Sequence, residues 1–256
     1  MEYWGVTDRG CVRPENQDSF AVKRLQDANG GELIAAVVCD GMGGARAGNV
    51  ASRLGVDRFI ESIAEQLTDF SEGNSVLPLA ADEANRLVYE KANSDPECAG
   101  MGTTLVACLS NGKEALVANV GDSRCYLIRS DGIRQITKDH SLVEDMVDRG
   151  EIDRAEAWLH PRRNYITRAL GTDEEIACDL FRVELEAGDA LLLCSDGLSG
   201  VVNSQELLFE LLYGGDRENC VDRMLAIALE RNAPDNVTAV LLSCTEPEPA
   251  SAVEEG

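Results

Sequence analysis

Apolar residues recur at steps of three and four in two stretches: Val56, Phe59, Ile60, Ile63 and Leu67, then Val221, Met224, Leu225, Ala228 and Leu229. That spacing gathers each set on one face, so both stretches are predicted as amphipathic helices lying on a core. "LPLAADEANRLVYEKAN" and the shorter "SQELLFELLY" keep the same period and are predicted helical as well. Between the helices the pattern changes to short apolar runs: "LIAAVVC", "TTLVACLS", "EALVANV", "RCYLIR", "FRVELEAGD", "ALLLCS" and "NVTAVLLSC". Bounded by Gly, Asn and Asp, these read as strands. Turns as short as "SNGK" and "SDGI" join the middle strands, which favours antiparallel pairing over a doubly wound parallel sheet. Strands interleaved with helix pairs predict an α+β architecture of sheets covered by helices.

The chain of 256 residues is long enough to bury a full core as one domain. That domain is expected over 1–244. The remaining "TEPEPASAVEEG", rich in Pro, Glu and Ala, is expected to be a disordered acidic tail over 245–256. Residues from Ser141 to Tyr165 mix many charges with Trp158 and "HPRR", and are predicted as an excursion from the core, a flap. No apolar run has the length of a membrane span, and "MEYWGVTDRG" has neither the basic start nor the apolar stretch of a secretion signal. Nine cysteines, dispersed in apolar runs without a CxxC pair, read as reduced buried thiols. A cytoplasmic location is therefore expected; a monomer is expected as well, without a feature of the sequence that fixes it. A net charge of −23 excludes a surface built for nucleic acid.

Candidate chemistry enters through the ends of the strands. "VVCDGMGGARAG" drives an apolar run into Asp40 and a glycine cluster. Taken alone, Asp-Gly after a strand is a turn. The pattern recurs, however, at Asp196 in "ALLLCSDGLSG", at Asp235 in "APDNVTAVLL" and at Asp122 in "VANVGDSRCYLIR". Paired strands bring their ends together, so these carboxylates can converge from distant parts of the chain. Clustered carboxylates repel one another and raise their pKa values unless a cation joins them. Oxygen donors, with only two histidines in the chain and no cysteine at metal spacing, favour Mg²⁺ or Mn²⁺ over Zn²⁺. Two such ions can bind a phosphoryl oxygen and acidify a bridging water, which is a phosphatase arrangement. A calcium-binding module would gather its ligands in one loop, and no such loop is present in the sequence.

In order and spacing, "GVTDRGCVRPENQDSF", "VVCDGMGG", "MGTTLVACL", "ANVGDSRCYLIR", "ITKDHS", "ITRALG", "LLLCSDGL" and "PDNVTAVLL" resemble the metal-dependent phosphatases of the protein phosphatase 2C (PPM) family, its bacterial stand-alone branch in particular. The resemblance covers all but the tail. It implies a four-layer α-β-β-α sandwich with two central, mainly antiparallel sheets and a centre of two Mn²⁺ or Mg²⁺ ions at one edge. Asp40 would bridge both ions, Gly41 would lend its carbonyl to one, and Asp196 and Asp235 would complete the other. Asp122 matches the position that serves a third, weaker ion. Arg13 matches the phosphate-binding arginine, whose planar fork suits phosphate oxygens. Asp18 would lie close behind the metal ligands with Gln17 and Asn236. Two departures stand out. Gln17 replaces a frequent Glu, and Met42 stands where eukaryotic members carry the His proposed as general acid, so no general acid is assigned.

The implied activity is hydrolysis of phosphoserine and phosphothreonine in proteins by direct attack of a metal-activated water or hydroxide. The implied partners are phosphoproteins and the eukaryotic-type serine/threonine kinase that such enzymes oppose. The alternative from another class is an inactive phosphatase fold that binds phosphoproteins as a scaffold; retention of Asp40, Asp196 and Asp235 argues against it. His140 reads as a structural hydrogen bonder, His160 as a surface residue and Arg168 as structural, while Arg162 and Arg163 form a solvated basic pair within reach of a phosphopeptide.

Overall fold

Apolar runs such as "LIAAVVC" are continuous because their strands are covered on both faces. The computed structural model describes residues 1–244, apart from the side chains at 45 and 46; the acidic tail lies outside the described residues. One sheet contains β1 (Glu2–Asp8), β7 (Arg124–Arg129), β8 (Gly132–Gln135), β10 (Ala190–Cys194) and β11 (Val237–Ser243), in the order β1-β11-β10-β7-β8. The other contains β2 (Asp18–Gln26), β3 (Glu32–Met42), β5 (Leu105–Ser110), β6 (Glu114–Val120) and β9 (Asp179–Glu184) in the order β2-β3-β5-β6-β9, with the short β4 (Gly102–Thr103) paired to β3. Every pairing is antiparallel.

Alternation along the strands divides the core into layers. Leu33, Ala35, Val37 and Cys39 of β3 pack with Phe59, Ile63 and Leu77 from α1 (Gly44–Gln66) and α2 (Gly73–Ser94). Ile34, Ala36 and Val38 of the same strand meet Leu191, Leu193, Val240 and Leu242 of the opposite sheet. On that sheet's far face, Leu192, Ala239 and Leu241 pack with Leu198 of α5 (Asp196–Ser199), Leu207 of α6 (Ser204–Tyr213) and Met224 of α7 (Cys220–Glu230). These are the four layers, helices, sheet, sheet, helices, that the resemblance implies. Two further helices, α3 (Leu142–Asp148) and α4 (Arg154–Leu159), occupy the stretch from Ser141 to Tyr165, whose ends are drawn together by a bridge between Ser141 and Ile166.

Several boundaries differ from the sequence reading. Helix α1 begins at Gly44, three turns before Val56, and α2 begins at Gly73 rather than Leu77. The run "FRVELEAGD" does not stay extended to Asp189: β9 ends at Glu184, and Asp189 N–H closes a turn onto the Glu186 carbonyl at 3.1 Å. Strand β3 does not stop at Asp40 but continues to Met42, because β4 supplies pairing partners for Gly41 and Met42.

Candidate metal and phosphate site

The alternation that sends Ile34, Ala36 and Val38 between the sheets sends Asp40 to the same face, at the end of the intersheet layer. Asp18 is its register partner on β2, so two carboxylates stand directly opposite each other. Thr104 fixes the backbone there: Asp40 N–H donates to Thr104 Oγ1 at 2.9 Å, and Thr104 N–H donates to the Asp40 carbonyl at 2.9 Å. The same Oγ1 lies 2.7 Å from Ser123 Oγ, which ties the Asp40 strand to the turn that carries Asp122.

Asp196 opens α5 immediately after β10, and Asp235 lies in the loop before β11. Two close backbone approaches bring the acids together. A Cβ on Gly197 would stand 1.8 Å from the Asn236 carbonyl oxygen, and one on Gly41 would stand 2.0 Å from the Gly48 carbonyl oxygen, so only glycine fits either position. The result is a cavity of about 410 Å³ lined by Arg13, Gln17, Asp40, Gly41, Asp122, Asp196 and Asp235, among others. Met42 lines it too, and neither histidine does.

Electrostatics make this cluster unusual. Burial, then repulsion from Asp18, Asp196, Asp122 and Asp235, holds the Asp40 carboxyl well above the usual carboxylate range. Burial and Asp196 do the same to Asp122, and burial and Asp235 raise Asp196, although Asp196 and Asp40 are within hydrogen-bonding reach of each other. Asp18 does not line the cavity; burial pushes it up to about 7 even though Ser195 Oγ donates to its Oδ2 at 2.7 Å. Asp18 Oδ1 and Asp196 Oδ1 are buried without a hydrogen-bond partner. Such a set of hard oxygen donors fits a divalent cation, which would supply the charge the protein lacks there. The cage is not closed as it stands: among the described residues no three Asp, Glu, His or Cys side chains are already arranged to hold a metal ion. Asp235 is turned instead onto Arg13, whose Nη2 donates to its Oδ2 at 2.7 Å.

Arg13 is thus at the cavity, its side chain 51% exposed. Gln17 contributes no bond to the acids; its Nε2 donates to the Gly44 carbonyl at 2.9 Å, holding the entry to α1. Asn236 laces the loops together, accepting from Gln17 N–H at 2.8 Å and donating to the carbonyls of Arg9 and Glu15 at 2.9 Å each. His140 lies outside the cavity. Gly121 N–H donates to its Nδ1 at 3.0 Å, which steadies the residue next to Asp122 and leaves Nε2–H to face Asp179 Oδ2 at 3.3 Å, while Arg168 donates to the other oxygen of Asp179 at 2.8 Å. His160 is half-buried in the 141–165 excursion, and Arg162 and Arg163 are exposed.

Sequence reasoning passed over Thr104, Ser123, Ser195 and Asn164. Ser123 and Ser195 directly adjoin Asp122 and Asp196 in "GDSR" and "CSDG", and that adjacency was the available signal for them; Thr104, in "GTTL", adjoins no acid in sequence and meets Asp40 only through strand pairing. Asn164 had none, because the excursion carries it to the cavity from far along the chain.

A family model for protein phosphatase 2C matches residues 13–241. Over 240 residues the chain is 38% identical to the serine/threonine phosphatase stp of Listeria innocua, spanning 92% of this chain and 93% of that protein. Serine/threonine phosphatase Stp1 from Staphylococcus aureus superposes with a TM-score of 0.86 at 39% identity, over 94% of either chain. The catalytic domain of serine/threonine protein phosphatase PstP, crystallised with 2 manganese ions, superposes with a TM-score of 0.80 at 34% identity, over 94% of this chain and 96% of that one.

Proposed function

The chain belongs to the protein phosphatase 2C family of serine/threonine protein phosphatases, and we propose that it hydrolyses phosphoserine and phosphothreonine in proteins by direct attack of water, using two Mn²⁺ or Mg²⁺ ions. The observation that carries this reading is the convergence of Asp40, Asp122, Asp196 and Asp235 on one cavity, with carboxyls raised at the first three by burial and mutual repulsion. Asp40, the Gly41 carbonyl, Asp196 and Asp235 would hold the two ions, and Asp122 would serve a third, weaker one. When bound, such ions lower the pKa of a water and neutralise charge on phosphoryl oxygens.

The chain's own residues supply position. Thr104 and Ser123 fix Asp40 relative to the Asp122 turn, and the Gly197 contact fixes Asp196 beside the Asp235 loop. Arg13 and Asp235 hold each other, and each can exchange that bond for a ligand, the guanidinium for phosphate oxygens and the carboxylate for a cation. Asp18 and Asn236 support these loops from behind, and Gln17, at the cavity wall, holds the entry to α1. No cysteine lines the cavity to act as a covalent nucleophile, which favours water as the attacking group. Residues 141–165 would act as a flap over this site within a catalytic domain spanning 1–244, and the enzyme would oppose a serine/threonine kinase that makes its substrates.

Phosphate release from a phosphothreonine peptide tests the reading. Activity should require Mn²⁺ or Mg²⁺, vanish in chelator, and fall at least roughly 100-fold in Asp196→Asn. Turnover indifferent to both chelator and substitution would overturn it, and absence of turnover in the metal-loaded parent would favour the scaffold alternative.

A further inference from the structure

A second cavity, of about 250 Å³, opens off the first and shares Asp122, Asn164, Asp196 and Asp235 with it. The 141–165 excursion forms one wall with Val143, Ala157 and Trp158, and Val201 and Pro234 face it from the body of the fold. Four of the charged groups in the wall are already paired with one another. Arg124 grips both oxygens of Asp139, with Nε at 3.0 and 3.1 Å and Nη2 at 2.6 Å. Arg154 holds Glu144 through two bonds. Arg163 donates to the Trp158 carbonyl at 3.1 Å and lies 5.7 Å from the centre of the Trp158 ring. Away from the shared carboxylates, the cavity offers a ligand the apolar surface of Val143, Ala157, Trp158, Val201 and Pro234, beside the neutral polar Gln135, Asn164 and Ser199.

That surface is costly to leave in water. Trp158, a large apolar ring in the cavity wall, is 41% exposed. We propose that the second cavity receives an apolar side chain one or two residues from the phosphorylated serine or threonine, with Trp158 as the specificity-determining contact. This rests on the first cavity being the phosphate site. The occupant follows from continuity: a chain extended across the first cavity advances about 3.3 Å per residue, so a neighbouring side chain reaches the space that shares its wall. A basic side chain would find no unpaired acid in the excursion wall, where Glu144 is already held by Arg154, and would lose hydration there.

A phosphothreonine peptide with glycine at the two positions on either side provides the reference, and leucine is placed at each of those four positions in turn. With saturating Mn²⁺, leucine at one of them should raise kcat/KM about 10-fold over the glycine peptide, mainly through KM. Trp158→Ala should bring the ratio close to unity, and Phe209→Ala, on the outer helix layer, should leave it as in the parent. No gain at any position, or a gain that survives Trp158→Ala, would overturn the proposal. Hydrolysis of the glycine peptide reads the phosphatase function separately, so failure of the pocket and failure of the phosphate site give different results. Binding supplies a second readout, because Trp4 and Trp158 are the only tryptophans. In Trp4→Phe, a leucine-bearing phosphonate peptide that cannot be hydrolysed should shift the emission of Trp158 and its glycine counterpart should not; equal responses would also overturn the proposal.

Discussion

Asp40 faces Asp18 across a ladder and lies within hydrogen-bonding reach of Asp196, so in the absence of cations these groups must share protons to coexist. The sign of the resulting pH dependence follows for Asp18, whose carboxyl rises from 3.8 to about 7 on burial. A carboxyl raised in the folded state binds more protons there than in the unfolded chain. Its contribution to stability is therefore complete below about 3.8 and is lost as pH rises through about 7. Held in chelator, the protein should lose melting temperature between pH 5 and pH 8, and Asp40→Asn, which removes one repelling charge, should melt higher than the parent at pH 8. Each kcal/mol relieved would show as roughly 2–4 °C in a chain of this size. Adding Mn²⁺ should reverse the order, since ligand binding to the folded state stabilises the parent by about 2.7 kcal/mol at one hundred times Kd and the variant lacks one of the carboxylates proposed to hold the ions. Thermal melts with and without chelator measure both. A chelated Asp40→Asn that melts below the parent would mean that the acids are not in conflict.

Among the elements, α6 shows how a helix end can be held by groups far apart in sequence. Asn203 accepts from Gln205 and Glu206 N–H at 3.0 and 3.1 Å, Glu206 reaches back to Asn203 N–H at 3.0 Å, and Arg231, just beyond α7, adds bonds of 2.8 and 2.6 Å to Glu206. Arg231 first, then Asn203 N–H, draws the Glu206 carboxyl down from 4.5 to about 2. A depressed carboxyl contributes above its unfolded pKa, so this stabilisation is present above about 4.5 and is lost as pH falls towards 2. Discounted for a side chain one-third exposed, it amounts to roughly 1 kcal/mol. Urea denaturation should place Glu206→Gln about that far below the parent at pH 7 and equal to it near pH 2; an unchanged gap in acid would contradict the ion-pair account. The span of α6 was legible in "SQELLFELLY" because its apolar spacing is local, although its cap, Asn203, lies just outside that run. The strands divide differently. Those read within a residue or so of their ends, β6, β7, β10 and β11, lie inside the sheets and are covered on both faces. The unread β1, β2 and β8, and β9 with its shifted start, are the four sheet edges, where exposure mixes residues such as Lys23, Arg24 and Gln26 into the pattern. The first turns of α1 were hidden because Gly44, Ala47, Gly48 and Ala51 carry little apolar bulk, and Gly48 holds its place by close packing against the Gly41 backbone. At the site, Asp40, Asp122, Asp196 and Asp235 could be found from strand ends, whereas the Arg13 bond to Asp235 joins residues 222 apart and exists only in the fold.

At the scale of the whole molecule, the net charge of −23 sets a field that any phosphoprotein must cross to reach the proposed phosphate site. Phosphorylated segments are themselves anionic, so acidic flanks add to repulsion and basic flanks offset it. The exposed Arg162 and Arg163 soften the field near the excursion without reversing it. Because this is a long-range effect on encounter, it belongs to kcat/KM rather than kcat, and it is governed by screening. The Debye length is about 30 Å at 0.01 M ionic strength and about 3 Å at 1 M, so the preference for basic over acidic flanks should be largest in dilute buffer. Between matched phosphothreonine peptides it should reach about 10-fold there and contract towards unity as salt rises, with kcat held nearly constant. Steady-state kinetics across a salt series, at fixed free Mn²⁺, separate this from contacts made in the second cavity. A preference for apolar neighbours at Trp158 should persist at high salt, whereas a charge preference of equal size at every ionic strength would place its origin in direct contacts and remove the field as its cause.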